Sequence, residues 1–337
     1  MFNPARVLIE KEALTYELGQ TLYKQFQDNG TDIILLESSR TKGIPGTSKK
    51  EKYQEGKNTL VIGVRKSLDF QTCKPSAHFQ LPLVTGCIGQ CEYCYLNTQL
   101  GDKPYTRVYV NIDAILERAK TYMDNGEEVI VFEGAATSDP LPVEPYTHAL
   151  EKTITFFAHE PRGRFRFVTK YTNIDDLLTL DHRGHTTIRF SINTDKVIKS
   201  YEHRTPSMAN RIAAASKVID AGYPAGFIIA PVFLYEQWKT DYKQLIKALA
   251  EAIPVDKHGG LTFEIISHRY TTKAKNRIRD VFPDTTLPME DEQRKFKYGQ
   301  FGYGKYVYDK DQLQELKIFF QEQLGLYFSR SDIKYII

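Results

Sequence analysis

The chain has 337 residues, of which 41% are hydrophobic and 26% charged, with 45 Lys and Arg against 42 Asp and Glu. That composition excludes a disordered or fibrous chain, and the length allows one large domain with accessory pieces or two small domains. The formal net charge of +3 permits a nucleic-acid partner without requiring one; with no secretory leader and no apolar run of about 18 residues, a membrane span is excluded and a cytoplasmic location expected.

The N-terminal piece reads as a helix over 15–29 and a strand over 32–36. Residues 42–57 (KGIPGTSKKEKYQEGK) are polar, basic and punctuated by Gly and Pro, which predicts a loop. Apolar runs follow at 81–85 (LPLVT), 129–133 (VIVFE), 165–170 (FRFVTK), 187–193 (TIRFSIN), 226–232 (GFIIAPV) and 261–266 (LTFEII). Helices predicted over 112–125, 146–159, 210–221 and 241–252 separate most of them. Such alternation makes βαβ units, and near-continuous apolar strands are those of a parallel sheet buried on both faces. Six strands of this kind suit an open or incompletely closed barrel. Residues 294–308 (RKFKYGQFGYGKYVY) alternate basic and aromatic side chains around glycines and predict a β-hairpin, and a last helix is expected over 311–324.

Four cysteines in a chain this long are no disulfide framework. Cys87, Cys91 and Cys94 fall within eight positions as CxxxCxxC, directly after the first barrel-type strand. Three thiolates can hold three irons of a [4Fe–4S] cubane and leave the fourth iron open to the amino and carboxylate groups of S-adenosylmethionine. The alternative is a structural zinc site, which needs a fourth ligand; His78 is the one on offer.

Around this motif the chain resembles the radical S-adenosylmethionine superfamily and, within it, the spore photoproduct lyases. The resemblance is carried by KNTLVIGVRK at 57–66, Lys74-Pro75-Ser76-Ala77, Thr85-Gly86-Cys87, Cys94-Tyr95-Leu96, Lys103-Pro104-Tyr105, Thr137-Ser138-Asp139, RFVTKY at 166–171, RFSIN at 189–193, GFIIAP at 226–231, His268-Arg269 and Gly304-Lys305-Tyr306. It implies an α/β chain: a small N-terminal α/β extension with a basic loop over 1–75, a partial (β/α)6 barrel over 76–255, and the last barrel strand, a DNA-contacting hairpin and a C-terminal helix over 256–337. It implies a carbon–carbon lyase that reverts 5-thyminyl-5,6-dihydrothymine in DNA to two thymines through a 5′-deoxyadenosyl radical. Damaged DNA and an electron donor such as flavodoxin or ferredoxin are the implied partners, and the spore core the implied place in a spore former. Ser138, Lys170, Ser191 and Ala230 match the cofactor-contacting positions; a lysine and two hydroxyls near strand ends suit a carboxylate and a ribose. Tyr93 and Tyr95 match the paired tyrosines, which pack on the cluster or relay a hydrogen atom.

Two departures bear on the chemistry. The family usually has a cysteine immediately before Thr-Ser-Asp, whose thiol returns hydrogen to the product radical; here Ala136 stands there and has none to give. Cys73, the one cysteine outside the motif, is then the alternative donor, its plainer reading being a small buried residue. Gln300-Phe301 replaces the usual Arg-Tyr pair of the hairpin, losing a cation and a hydroxyl while keeping a wedge.

Arg294, Lys295, Lys297 and Lys305 interleave with Phe296, Tyr298, Phe301, Tyr303, Tyr306 and Tyr308, so the hairpin can neutralise phosphates and stack on unpaired bases, or its aromatics fill core. His268 and Arg269, at the end of the sixth strand, are expected substrate contacts. Lys49, Lys50, Lys52 and Lys57 read as a basic loop. Two other functions stay open: a family relative with the same cofactors and another substrate, and a nucleic-acid-binding protein holding zinc or a structural cluster.

Overall fold

The computed structural model describes residues 2–41, 45–74, 76–124, 128–298 and 304–337. Gln300 and Phe301 lie outside the described residues. The chain forms two units: Met1–Gly89, Leu100–Thr169 and Asn173–Thr187 make the first; Gln90–Gln99, Lys170–Thr172 and Ile188–Ile337 make the second.

In the first unit Arg6–Glu10 pairs in parallel with Asp32–Leu36 on one side and Thr59–Gly63 on the other, and Thr106–Tyr109 extends the sheet beyond Thr59–Gly63. Parallel neighbours need crossovers, and the helix Glu17–Asp28 supplies one, burying Gly19, Leu22 and Phe26 at helical spacing. The loop expected over 42–57 is helical from Lys49 to Lys57. A capping box outweighs the polar composition there: Glu51 N donates to Ser48 Oγ (3.1 Å) and Ser48 N to Glu51 Oε2 (3.2 Å).

A second set of strands in this unit, Gly163–Thr169, Ile130–Glu133 and Ala77–Gln80, runs parallel, with Thr72–Cys73 antiparallel on Ala77–Gln80. The expected first barrel strand is therefore displaced. Ala77–Gln80, not 81–85, pairs beside Ile130–Glu133, and Val84–Thr85 pairs antiparallel with Thr106–Tyr109 in the other sheet. The physical reason lies at Pro82, which has no N–H to give a ladder and breaks the apolar run in two.

In the second unit residues 188–192 of the strand Thr186–Ile192 pair in parallel with Ala225–Val232, which pairs with Thr262–Ser267, which pairs with Asp332–Ile336. Met208–Asp220 and Trp238–Ala252 are the crossover helices, and Lys310–Tyr327 is the last helix. A buried ion pair, Arg189 Nη1 to Glu264 Oε1 at 2.7 Å, joins two of the strands. The helix Thr272–Val281 and the strand Asp332–Ile336 were not legible: the helix buries only Ile278 and Val281, and the strand is partly exposed. Lys295–Tyr298 and Gly304–Val307 form the expected antiparallel hairpin. No helix among the described residues is long and apolar enough to cross a membrane.

Candidate functional site

In the first unit the cysteine motif begins from a fixed backbone. Gly86 has φ +84°, and a Cβ there would meet Tyr105 O at 2.3 Å, so only glycine fits. Gly86 N donates to Thr137 O (3.0 Å), and Gly86 bridges Ser138, laying the motif against the Thr-Ser-Asp segment. Gly89 N donates to Cys87 Sγ (3.3 Å). Lys57 is buried, 1% exposed, and its Nζ donates to Cys87 O (2.7 Å), so it is no part of a solvated basic face. Ser138 Oγ donates to Gly134 O (3.4 Å), and Ala136 is half-buried beside it. Cys73 is half-buried; its carbonyl accepts from Ser76 N (2.9 Å), and Arg166 ties Ser76 Oγ (2.6 Å) to Glu133 (3.1 Å).

In the second unit Cys91 pairs with Glu202 in a short antiparallel ladder, and Glu92 N donates to Tyr201 O (2.9 Å). Asn97, 2% exposed, donates its amide to the carbonyls of Cys91 (3.0 Å) and Glu92 (3.2 Å). Glu92 holds His203 Nε2 (2.7 Å) and accepts from Thr285. These bonds fix the backbone around Cys91.

Glu202 is the centre of this unit's polar network. Its carboxylate accepts from the Tyr93 hydroxyl, lies 3.9 Å from Lys170 Nζ and 2.6 Å from Arg211 Nη2. Arg211 is fully buried; it also donates to Thr205 Oγ1 (2.7 Å), Pro206 O (3.0 Å) and Ser191 O (3.1 Å). Arg211 Nη2 lies against the second oxygen of Glu202, Oε2, and neutralises it. Burial pushes the Glu202 pKa up, but Lys170 and Arg211 outweigh it and hold the carboxyl below its usual range. Burial and then Glu202 raise Tyr93 well above an ordinary phenol. Lys170 Nζ donates to Ser191 Oγ, so these two expected cofactor contacts meet. Ala230 is half-buried near the end of its strand, and Tyr95 is 57% exposed.

The three motif thiols, Cys91 buried and Cys87 and Cys94 half-buried, are soft donors of the kind that iron–sulfur clusters take. Among the described residues no group of three or more His, Cys, Asp and Glu side chains is gathered as metal ligands, so the fit rests on donor chemistry and on the backbone fixed around Cys87 and Cys91.

At the hairpin end of the second unit, His268 is 2% exposed. Burial, then Arg294 and Arg269, push its pKa down to about 3. Arg269 is half-buried, with Nη2 on Ile337 O (3.4 Å). Lys305 is half-buried and pairs with Lys297 across the hairpin. Phe296 and Tyr298 are 44% and 77% exposed, whereas Tyr308 is buried, so the hairpin's aromatics divide between solvent and core. Lys295, Lys297, Lys310 and Lys317 line a groove of about 380 Å³ together with Val307 and Leu316, with no Asp or Glu side chain among its described lining residues.

Sequence reasoning missed Glu202, Arg211, Asn97 and the inward aim of Lys57. Only Arg211 left a signal, a charge in register with the buried face Ile212, Ala215 and Val218 of its helix.

The spore photoproduct lyase family model matches residues 2–337. The spore photoproduct lyase of Clostridium acetobutylicum is 56% identical over 333 residues, covering 98% of each chain. That of Bacillus subtilis is 43% identical, covering 99% of this chain and 98% of its own. A solved spore photoproduct lyase double mutant with bound AdoMet and dinucleoside spore photoproduct is 43% identical, covers 100% of this chain and 99% of its own, and superposes with a TM-score of 0.95. A second solved structure, complexed with the dinucleoside lesion, also reaches 0.95 at 43% identity, covering 99% of each chain. This likeness bears out the expected α/β fold of the radical S-adenosylmethionine type. With identity and architecture agreeing from end to end, the chain belongs to the spore photoproduct lyase family.

Proposed function

We propose that this chain is a radical AdoMet lyase that reverts 5-thyminyl-5,6-dihydrothymine in DNA to two thymines. The observation that carries it is full-length likeness to a solved lyase holding both AdoMet and the dinucleoside lesion. Cys87, Cys91 and Cys94 would hold a [4Fe–4S] cluster, and Ser138, Lys170, Ser191 and Ala230 would contact AdoMet. When bound, these groups supply the one-electron chemistry that takes a hydrogen atom from the lesion.

The chain's own residues do the rest. Lys170 offers an ammonium to a carboxylate, and Ser191 shares that ammonium. Cys73 would give its thiol hydrogen to the thymine radical in place of the thiol that Ala136 lacks, and Tyr93 or Tyr95 would pass back to its sulfur the hydrogen atom first taken from the lesion. Tyr93 keeps its proton because burial and Glu202 hold its pKa high. Arg269 and Lys305 would meet the lesion, with Gln300 and Phe301 in the contact role that the resemblance implies and the buried His268 supporting them from behind, and the lysine groove beside the hairpin would take the DNA backbone. A flavodoxin or ferredoxin would supply the electron, and in a spore former the enzyme would work in the spore core.

The test is anaerobic incubation of the cluster-loaded protein with AdoMet, dithionite and the dinucleoside lesion. Recovery of thymidylyl-thymidine supports the reading; 5′-deoxyadenosine without any thymine product rejects the substrate. Cys73→Ala is expected to slow thymine recovery or divert it to adducts; an unchanged rate and product would remove Cys73 from the role.

A further inference from the structure

Arg294 opens the hairpin and, read from sequence, counts among its phosphate-facing cations. Its surroundings are different. Nη1 donates to His268 O (3.0 Å), and Nη2 donates to Pro288 O (3.0 Å) and to His268 Nδ1 (3.3 Å). The guanidinium carbon lies 3.7 Å from the ring centre of Tyr308, whose hydroxyl accepts from Leu234 N (3.0 Å). A planar fork with fixed donor directions is matched here to two carbonyls and a ring nitrogen.

The other foot of the hairpin is fastened to the same segment. Tyr270 N donates to Tyr306 O (3.2 Å) and Tyr306 N to Tyr270 O (2.7 Å), and the two rings stack 5.2 Å apart at 16°. The His268 ring packs on Phe233 at 4.5 Å and on Tyr270 at 5.7 Å. Just before the first hairpin strand, Asp291 accepts from the Tyr270 hydroxyl (2.9 Å) and from Lys275 Nζ (2.8 Å). His268 accepts from Arg294 only while neutral, and its depressed pKa of about 3 keeps it so. Both feet of the hairpin thus close on residues 268–270, at the end of the strand Thr262–Ser267.

We propose that Arg294 is a positioning residue for lesion recognition: it latches the hairpin to His268 and sets the angle at which the hairpin meets DNA, instead of neutralising a phosphate. The inference rests on the DNA-repair reading above. Lysine keeps the charge of Arg294 but loses the fork and the flat face that stacks on Tyr308, so a phosphate contact and a latch respond differently to it.

The experiment compares Arg294→Lys and Arg294→Met in the full-length, cluster-loaded enzyme. Both are expected to raise KM for the lesion in duplex DNA about tenfold or more and KM for the dinucleoside lesion by clearly less, with kcat on either within about twofold of wild type. The slope of log affinity for duplex against log salt is expected to be unchanged in both. If Arg294→Lys behaves as wild type and Arg294→Met loses about 0.9 from that slope, the residue is a phosphate contact and the latch is overturned. An equal loss on dinucleoside and duplex also overturns it, since that is general damage to the unit. Peptide-level amide exchange at 295–298 and 304–307 needs no turnover. It is expected to rise in both variants, and unchanged exchange refutes the latch whatever lesion the enzyme repairs.

Discussion

Replacing Arg211 by methionine probes the polar centre beside the cysteine motif. Arg211 and Glu202 are both fully buried at the side chain and lie 2.6 Å apart. Methionine fills most of the arginine stem and leaves a buried carboxylate without its nearest counter-charge. Breaking a buried pair from one side costs about 3–5 kcal/mol. Lys170, 3.9 Å from the same carboxylate, offsets part of the loss, so we expect about 3 kcal/mol. That is roughly a hundredfold in the folded-to-unfolded ratio. Combining Glu202→Gln with Arg211→Met removes both fully buried charges and is expected to regain about 2 kcal/mol, because the cation left behind, Lys170, is 17% exposed and keeps contact with solvent. Urea unfolding of the cluster-free chain measures this directly. Trp238, the chain's one tryptophan and 7% exposed, reports on the unit concerned through its fluorescence. A loss under about 1 kcal/mol in Arg211→Met, or a double variant whose loss equals the sum of the singles, would refute the reasoning.

Lys57→Met removes a charge-assisted bond to Cys87 O, worth about 1.5–3 kcal/mol, and is expected to lower cluster retention under chelator challenge about tenfold; Lys49→Met, on the exposed end of the same helix, is the control, and equal iron retention in the two would reject the anchor role. His268 has a folded pKa of about 3 against about 6.5 unfolded, so the unfolded chain takes the proton first as pH falls and stability drops through that window. The stability advantage of wild type over His268→Gln should therefore shrink by about 2 kcal/mol between about pH 7 and pH 5, read by urea midpoints at each pH; a constant difference would show that the ring is not held neutral. Each of Lys295→Gln, Lys297→Gln, Lys310→Gln and Lys317→Gln is expected to take up to about 0.9 from the salt slope of duplex binding, and four unchanged slopes would place the DNA backbone elsewhere.

Much of the fold was legible because its signals are local. The runs at 129–133, 165–170, 187–193, 226–232 and 261–266 are strands within a residue or two, since short apolar runs separated by helix-length amphipathic segments suit a covered parallel sheet. The hairpin was equally plain from its glycines and alternation. The reading failed where a local device opposed composition, as with the Ser48–Glu51 capping box, or where burial depended on distant chain, as with the strand Asp332–Ile336.

The site divides in the same way. The cysteine spacing could be picked out in the chain itself, because ligand spacing within a loop is a property of a short stretch, whereas the Thr-Ser-Asp segment and Lys170 with Ser191 were marked out only by the family resemblance. That Glu202 gathers Tyr93, Lys170 and Arg211, that Lys57 turns inward to Cys87, and that Arg294 grips His268 were decided only by tertiary structure. A charged side chain has no preferred destination in sequence. Whether it faces water or is buried against a partner depends on which remote segments the fold brings to it, and on whether their acceptors outweigh the cost of leaving solvent.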